Sequence, residues 1–408
     1  MGFEQGVSGL NASSSNLDVI GNNIANSGTT GFKTGTAQFA DVYAGSQSGL
    51  GVQVATVSQN LSQGVVTTNG VGTDVAISGN GFFQLMGPTG QMSYSRDGAF
   101  TQNSSGYLVD SAGLQVTGYQ VGANGAIAGG TPSALKLPIS TPMPPNPTTQ
   151  ISAEFNLNSG DTTPATTPFN TTDATSYNYS NTITAYDSLG NSHEITSFFV
   201  NSGSSTWNVY QTIDGKSLTS SSASTTGTNI GSLTFNSSGT LVTPANGTLT
   251  SGSIALSNGA APMNYTLNLT GTTHYGSADG MVSAAKQNGY TSGMLTSFAI
   301  NKDGTVTGQF SNNQTNTLGQ IVLASFANPN GLANSTGNIL TATAASGNPL
   351  ISAPGGSAGS LTSGALETSN VDLTSELVNL IIAQRTYQAN AQTIKTQDEI
   401  MQTLVSGL

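Results

Sequence analysis

Apolar residues recur every seven positions at both ends of this 408-residue chain. Near the N-terminus the row is Phe3, Leu10, Leu17 and Ile24, with Val7 and Ile20 beside it. Near the C-terminus it is Leu373, Leu380, Tyr387, Ile394, Met401 and Leu408, with companions at Leu377, Gln384, Ala391, Asp398 and Val405. A strict seven-residue repeat holds one stripe of a helix toward a partner and marks a coiled-coil seam. The spacing therefore predicts one helix at each end. The first is expected to stop at Asn26-Ser27-Gly28, with Gly28 supplying the left-handed C-terminal residue. The second is expected to open with Ser369 and Asp372 as a capping box, and Glu376 suits the positive end of its dipole.

Both seams are weak. The stretch "NLDVIGNNIANSGTTGFK" (16–33) loads the first helix with Asn and Gly, and Gly costs about 1 kcal/mol relative to Ala in a helix interior. Gln384 and Asp398 interrupt the second. Two such helices are marginal alone, so they are expected to be poorly ordered in the monomer and to fold when neighbouring copies cover their faces.

Charge is scarce as well. Only 7% of residues are charged, against roughly 25% in an ordinary soluble domain. A surface of Ser, Thr, Asn and Gly packs against copies of itself with little desolvation of ions; a low-charge secreted β protein fits the composition equally. Eight Lys and Arg face 19 Asp and Glu, for a net charge of −11. The basic residues are scattered singly, which excludes the stripe that nucleic acid requires. No apolar run approaches the ~20 residues that span a bilayer. The first residues lack the basic and apolar regions of a secretory signal peptide, so any route out of the cytoplasm is expected to need no cleaved signal. Cysteine is absent, which removes disulfide and thiolate chemistry.

Between the ends, strand and turn signals dominate. Residues 74–121 alternate apolar and polar side chains, with turns marked by Asn80-Gly81, Asp97-Gly98 and Ser105-Gly106. "PISTPMPPNP" (138–147) reads as a stiff, extended passage. Strand patterning resumes at 182–200, 207–218, 231–243 and 293–312, and "LGQIVLASF" (318–326) reads as one continuous buried strand. The expected fold class is mainly β with α-helical termini: discontinuous nested β domains plus an N- and C-terminal helical coiled-coil domain. The expected division is 1–70 with 355–408 for the helical core and its connecting segment, 71–150 with 284–354 for an inner β domain, and 151–283 for an outer β domain inserted into it.

No catalytic, cofactor-binding or metal-ligating constellation is legible, and the chain is read as not an enzyme. His193 and His274 stand in separate segments, whereas a metal site needs clustered ligands. His193-Glu194 lacks the second His of a zinc-protease helix. Asp97, Asp187, Asp214 and Asp303 each precede Gly or Ser in a turn, where a carboxylate bonds the local backbone; two of them could still meet in space as a glycosidase pair. "GNGFF" (79–83) has the glycines of a phosphate loop without its Lys-Ser/Thr pair or its helix. Trp207 reads as core.

With these residues in view, "NLDVIGNNIANSGTTGFK" resembles the N-terminal signature of the bacterial flagellar rod and hook proteins. "ALETSNVDLTSELVNLIIAQRTYQANAQTIKTQDEIMQTLVSGL" (365–408) resembles the C-terminal signature of the same family. Three inner stretches are similar to its hook members: "AQFADVYAGS" (37–46), "YDSLGNSHEI" (186–195) and "FAINKDGTVTGQFSNNQTNTLGQIVLASFANPNGL" (298–332). Rod members are shorter and lack an insert like 151–283. The resemblance implies a subunit that stacks helically into a short, curved, hollow tube outside the cell, a universal joint carrying motor torque to the filament. It implies export by the flagellar type III apparatus. Its partners would be further copies of itself, the distal rod protein, the hook cap and the hook–filament junction proteins, with no cofactor, nucleic acid or membrane. In the family the paired terminal helices form the inner tube; the matching positions here are Leu10, Leu17, Ile24, Leu380, Tyr387, Ile394 and Met401. Residues 28–70 would join helices to β domains and touch neighbours, and Phe3 with Val7 resembles a short apolar export-recognition element. Another axial protein, of rod or hook-associated type, and a secreted adhesin are the alternatives. An adhesin has no need of seven-residue rows at both ends.

Overall fold

A computed structural model describes residues 2–42, 51–122, 125–219 and 225–406. Residues 43–46 of the stretch 37–46, and Leu408 of the C-terminal row, lie outside the described residues.

Two long helices bracket the chain: α1 (Gly2–Ala25) and α2 (Leu373–Ser406). Between them, among the described residues, the regular structure is strand apart from three single-turn 3-10 helices. α1 stops before Gly28, which does not take a positive φ. The left-handed residue is Gly31, at φ +70°. A Cβ there would stand 2.7 Å from the backbone nitrogen of Asp97, so both the conformation and the close approach require Gly. At α2 the N-cap is Asp372 rather than Ser369. Its Oδ1 accepts from the N–H groups of Thr374 (2.9 Å) and Ser375 (3.2 Å), which satisfies two donors that the first turn leaves unpaired.

The chain forms two compact units: Met1–Ser140 with Thr296–Gln309 and Thr315–Leu408, and Thr141–Leu295 with Phe310–Gln314. Both helices and the inner β region share the first unit. The second is wider than the expected insert of 151–283 because the Pro-rich passage is stitched to the far end of the same segment. Met143 bridges Gly293, and Asn146 bridges Tyr290.

In the first unit, strand Phe82–Met86 pairs with Met92–Ser95 and with Gln115–Gln120. Segments from beyond the insert complete the sheet: Thr315–Ile321 pairs with Gln115–Gln120, and Leu323–Ser325 pairs with Phe82 and Phe83. The stretch 318–326 is thus two strands split at Val322, each with its own neighbours. Of the three marked turns, only Ser105-Gly106 closes a hairpin, joining Thr101–Gln102 to Leu108–Val109. Gly98 serves a different need: a Cβ there would lie 1.7 Å from the Val75 carbonyl oxygen. A hairpin (β1, Gly35–Val42; β2, Gly51–Gln59) follows α1.

The second unit packs two sheets around one core. One sheet carries Gln150–Asn156 between Thr266–Asn268 and Gly280–Gln287; the other runs from Tyr179–Tyr186 through Ser192–Gly203 and Thr206–Ile213 to Thr228–Phe235. Trp207, Tyr265, Phe155 and Phe199 are fully buried in that core. Tyr265 Oη donates to Gln211 Oε1 (2.8 Å) and Gln211 Nε2 donates to Ser197 Oγ (2.8 Å), while Trp207 Nε1 is buried without a hydrogen-bond partner. Trp207 is core, as its sequence context indicated.

Candidate functional site

α1 and α2 pack against each other, and small or polar residues occupy the line of closest approach. A Cβ on Gly6 would stand 2.9 Å from Ile394 Cγ1, and one on Gly9 would stand 3.0 Å from the Asn390 side chain. Asn390 Nδ2 donates to Ser13 Oγ (3.3 Å). On α1 the most buried residues include Gly6, Ala12, Ser13 and Ile20; on α2 they are Glu376 and Ala383. The expected residues Leu380, Tyr387 and Ile394 are half-buried, as are Val7, Leu10, Leu17 and Ile24, and Ile394 meets α1 at Gly6. Of the expected companions only Ala391 is half-buried, while Leu377, Gln384, Asp398 and Val405 are exposed; Glu376 and Ala383 are buried and Asn390 and Gln397 half-buried instead. The ends of the rows are open. Phe3 is 52% exposed, Leu373 45% and Met401 58%.

The asparagines of the opening stretch act within the subunit. Asn23 is 1% exposed and clamps Gly35: its Nδ2 donates to the Gly35 carbonyl (2.8 Å) and its Oδ1 accepts the Gly35 N–H (2.9 Å). Asn26 Nδ2 donates to both the carbonyl and the side-chain oxygen of Asn22. Polar side chains thus replace the apolar packing that the weak helix lacks, and they hold its end to β1.

Where the helices leave the β region, three distant segments converge on one carboxylate. Glu367 is buried. Its Oε1 accepts from Lys33 Nζ (2.5 Å) and from the Gly64 N–H (2.8 Å), and its Oε2 from Arg96 Nη1 (3.3 Å). Lys33 also donates to the Ser62 carbonyl (2.7 Å). Burial pulls the Lys33 and Arg96 pKa values below their ordinary range, and the Glu367 charge opposes that pull in both. Asn370 reinforces the joint, accepting from the Thr34 N–H (2.8 Å) and donating to the Asn60 carbonyl (2.8 Å). We call this joint the root of the helix pair. Sequence reasoning missed it, because nothing local links Lys33 to a partner 334 residues away.

The second unit holds a further cluster that the sequence did not assemble. Asp187 makes the expected turn, accepting the N–H groups of Leu189 and Asn191 (both 2.9 Å). It also faces His193 Nε2 (3.3 Å), whose Nδ1 faces Asp214 Oδ2 (2.7 Å). Burial opposes charge on His193, but the two carboxylates outweigh it and raise its pKa. With a carboxylate on each ring nitrogen, the doubly protonated imidazolium is the form that satisfies both. The three side chains are not arranged to hold a metal ion, and no other group among the described residues is. No described helix is long and apolar enough to cross a membrane.

The chain thus carries β units between an N-terminal helix and its C-terminal partner, and models of flagellar axial proteins match each of these parts. Residues 3–33 match "Flagella basal body rod protein" and 362–407 "Flagellar basal body rod FlgEFG protein C-terminal". Residues 76–154 match "Flagellar hook protein FlgE/F/G D1 domain" and 156–290 "Flagellar basal body protein FlaE D2 domain". The flagellar hook protein FlgE of Escherichia coli is 48% identical over 410 residues, with 100% of both chains covered. That of Salmonella typhimurium is also 48% identical, over 411 residues and 100% of both chains. That of Brucella suis is 32% identical, covering 98% of this chain and 97% of its own. A crystal structure of Helicobacter pylori flagellar hook protein FlgE2 shares the fold at a TM-score of 0.50 and 14% identity, over 74% of this chain and 100% of that one. The chain belongs to the flagellar hook protein family: it is a hook subunit, and its place is the flagellum.

Proposed function

We propose that copies of this chain self-assemble outside the cell into a curved hollow tube that acts as a universal joint between motor and filament. One observation carries the reading. α2 leaves Leu373, Leu377, Val378, Ile381, Ile382, Ile400, Met401 and Val405 exposed in the isolated subunit. An apolar surface that long on one helix is a surface to be covered, and in a homopolymer the cover is another copy. The terminal segments 1–70 and 355–408 would form the tube wall. The regions 71–150 with 284–354 and 151–283 would form successive outer layers. Phe3, Leu10, Leu17, Ile24, Leu373, Leu380, Tyr387, Ile394 and Met401 would be the assembly residues.

The finer parts of the reading rest on the family. Export would run through the flagellar type III apparatus without a cleaved signal, with exposed Phe3 and nearby Val7 as the recognition element. The distal rod protein, the hook cap and the hook–filament junction proteins would be the partners at the two ends. The role is mechanical and includes no catalytic step.

Immunogold electron microscopy of intact cells, with antibody against residues 151–283, tests the reading. Gold confined to a short curved segment between cell body and filament is the expected result. Gold spread over the cell surface, or along the filament, overturns it.

A further inference from the structure

We infer that the cleft between α1, α2 and the β1–β2 hairpin receives the outward face of α2 from a second copy of this chain, with Arg385 of that copy reaching Glu376. The inference rests on the self-assembly proposed above and names the surfaces that meet.

The cleft encloses about 700 Å3 and is lined by Ala12, Ile20, Phe39, Ile382 and Ala383, among others. Glu376 also lines it. That side chain is 8% exposed, and its Oε2 is buried with no hydrogen-bond partner. A carboxylate withdrawn from water without a partner is costly. Its place in the first turn of α2 gives it a favourable dipole but no counter-charge.

The counter-charge cannot come from the same helix. Arg385 lies nine residues beyond Glu376, which is two and a half turns at 3.6 residues per turn. It therefore projects from the opposite side of α2. It is exposed and enters none of the ion pairs among the described residues. Its neighbours at three and four positions either way are Ile381, Ile382, Gln388 and Ala389, none of them acidic. Lys395, the other cation of the helix, differs: Asp398 and Glu399 stand three and four positions on, the spacing at which helical side chains meet. Arg385 is thus an unmatched cation on α2, and Glu376 a buried anion on the same helix without a counter-charge. Val378 and Ile381, about half exposed, precede Arg385 on the same outward side. The outward face of α2 reads apolar, apolar, cation; the cleft mixes apolar side chains with uncharged polar ones and holds a single anion. The two are complementary, and only a neighbouring copy can bring them together.

The test uses cells lacking their own hook gene and supplied with this chain. Hooks are counted by electron microscopy, and exported subunit is measured in the medium. Arg385→Glu should lower hook number roughly tenfold or more while subunit is still exported, because reversing one partner of a desolvated pair leaves two like charges together. Adding Glu376→Arg to Arg385→Glu should restore hooks. Normal hooks from Arg385→Glu alone overturn the inference, since an exposed residue facing away from α1 does not decide whether the monomer folds. A double variant that folds but stays hookless also overturns it.

A second measurement leaves the charges intact and decides the matter if Glu376→Arg unfolds the helices. The chain has no cysteine, so Val378→Cys and Thr36→Cys place one thiol on the outward face and one in the cleft. A short bis-maleimide applied to isolated hooks should give a ladder of multimers from the double variant and none from either single one. Intact hooks that give no ladder overturn the seating. Failure of the unaltered chain to make hooks would instead strike the self-assembly reading.

Discussion

The second compact unit and the terminal helix pair solve opposite problems with one amino-acid vocabulary. The second unit is closed: Trp207, Tyr265, Phe155 and Phe199 are fully buried, and Tyr265 and Gln211 pair inside the core. The helix pair inverts this. Gly, Ala, Ser and Asn sit at its centre, while eight large apolar side chains of α2 are left exposed. Burial of apolar area is the main driving force in both places. In the second unit it acts within the chain; along the helices most of it is left for association. Low helix propensity in α1 then makes sense, because a helix stable by its own sequence would gain less from being covered.

Four experiments would break or sharpen this contrast, and the largest effect is all-or-none. Leu380→Asp or Tyr387→Asp should abolish tubes in electron micrographs while the β units keep their thermal transition; normal tubes from either would defeat the role given to the helices. Trp207→Ala should cost the second unit about 3–5 kcal/mol, the usual range for emptying a large buried aromatic site, read as an earlier urea transition by circular dichroism. Glu367→Ala leaves Lys33 and Arg96 buried without a counter-charge, and losing one partner of a buried pair costs about 3–5 kcal/mol. Hydrogen exchange should speed up in the paired strands Val66–Thr68 and Ala365–Glu367, with no change in the second unit.

The smallest effect is a pH dependence of the second unit. Burial raises the Asp279 pKa to about 6 and nearby Asp161 adds to the rise, against a hydrogen bond from the Asn158 N–H. A carboxylate raised on folding favours the folded state at low pH. That advantage is lost as pH climbs from the ordinary carboxylate value to about 6. Asp279→Asn should flatten this slope and stabilise the unit at pH 7 by about 1 kcal/mol, allowing for solvent around the pair. His193, also raised, contributes fully below the ordinary histidine value, and its contribution fades as pH passes the higher folded one. His193→Gln should remove that fade. A melting temperature flat from pH 4 to 8 in the unaltered protein would exclude both.

The sequence made the helices legible because their apolar repeat is periodic, and Leu380, Tyr387 and Ile394 are half-buried. It could not show which companions are covered with them. Glu376, Asn390 and Gln397 are polar and Ala383 is small, so a search for apolar side chains passes over them. Strands and turns were legible for the same local reasons, but their pairing was not. Asp97-Gly98 announces a change of direction, not that Gly98 will meet Val75. Phe83 pairs with Leu323 across the whole insert, and no local pattern carries that information. The His193 cluster was half visible: Asp187 was correctly given to a turn, but Asp214 reaches the ring from the neighbouring strand's end.

The root has a consequence for the order in which the molecule can be completed. Lys33 and Arg96 are made early, and Glu367 only when nine-tenths of the chain exists. Until then the two cations have no counter-ion at the site they will occupy, and the strand Val66–Thr68 has no Ala365–Glu367 to pair with. A contact of such sequence separation closes late. The root therefore carries a built-in delay: Lys33, Arg96 and Val66–Thr68 wait unlocked until the last tenth of the polypeptide arrives.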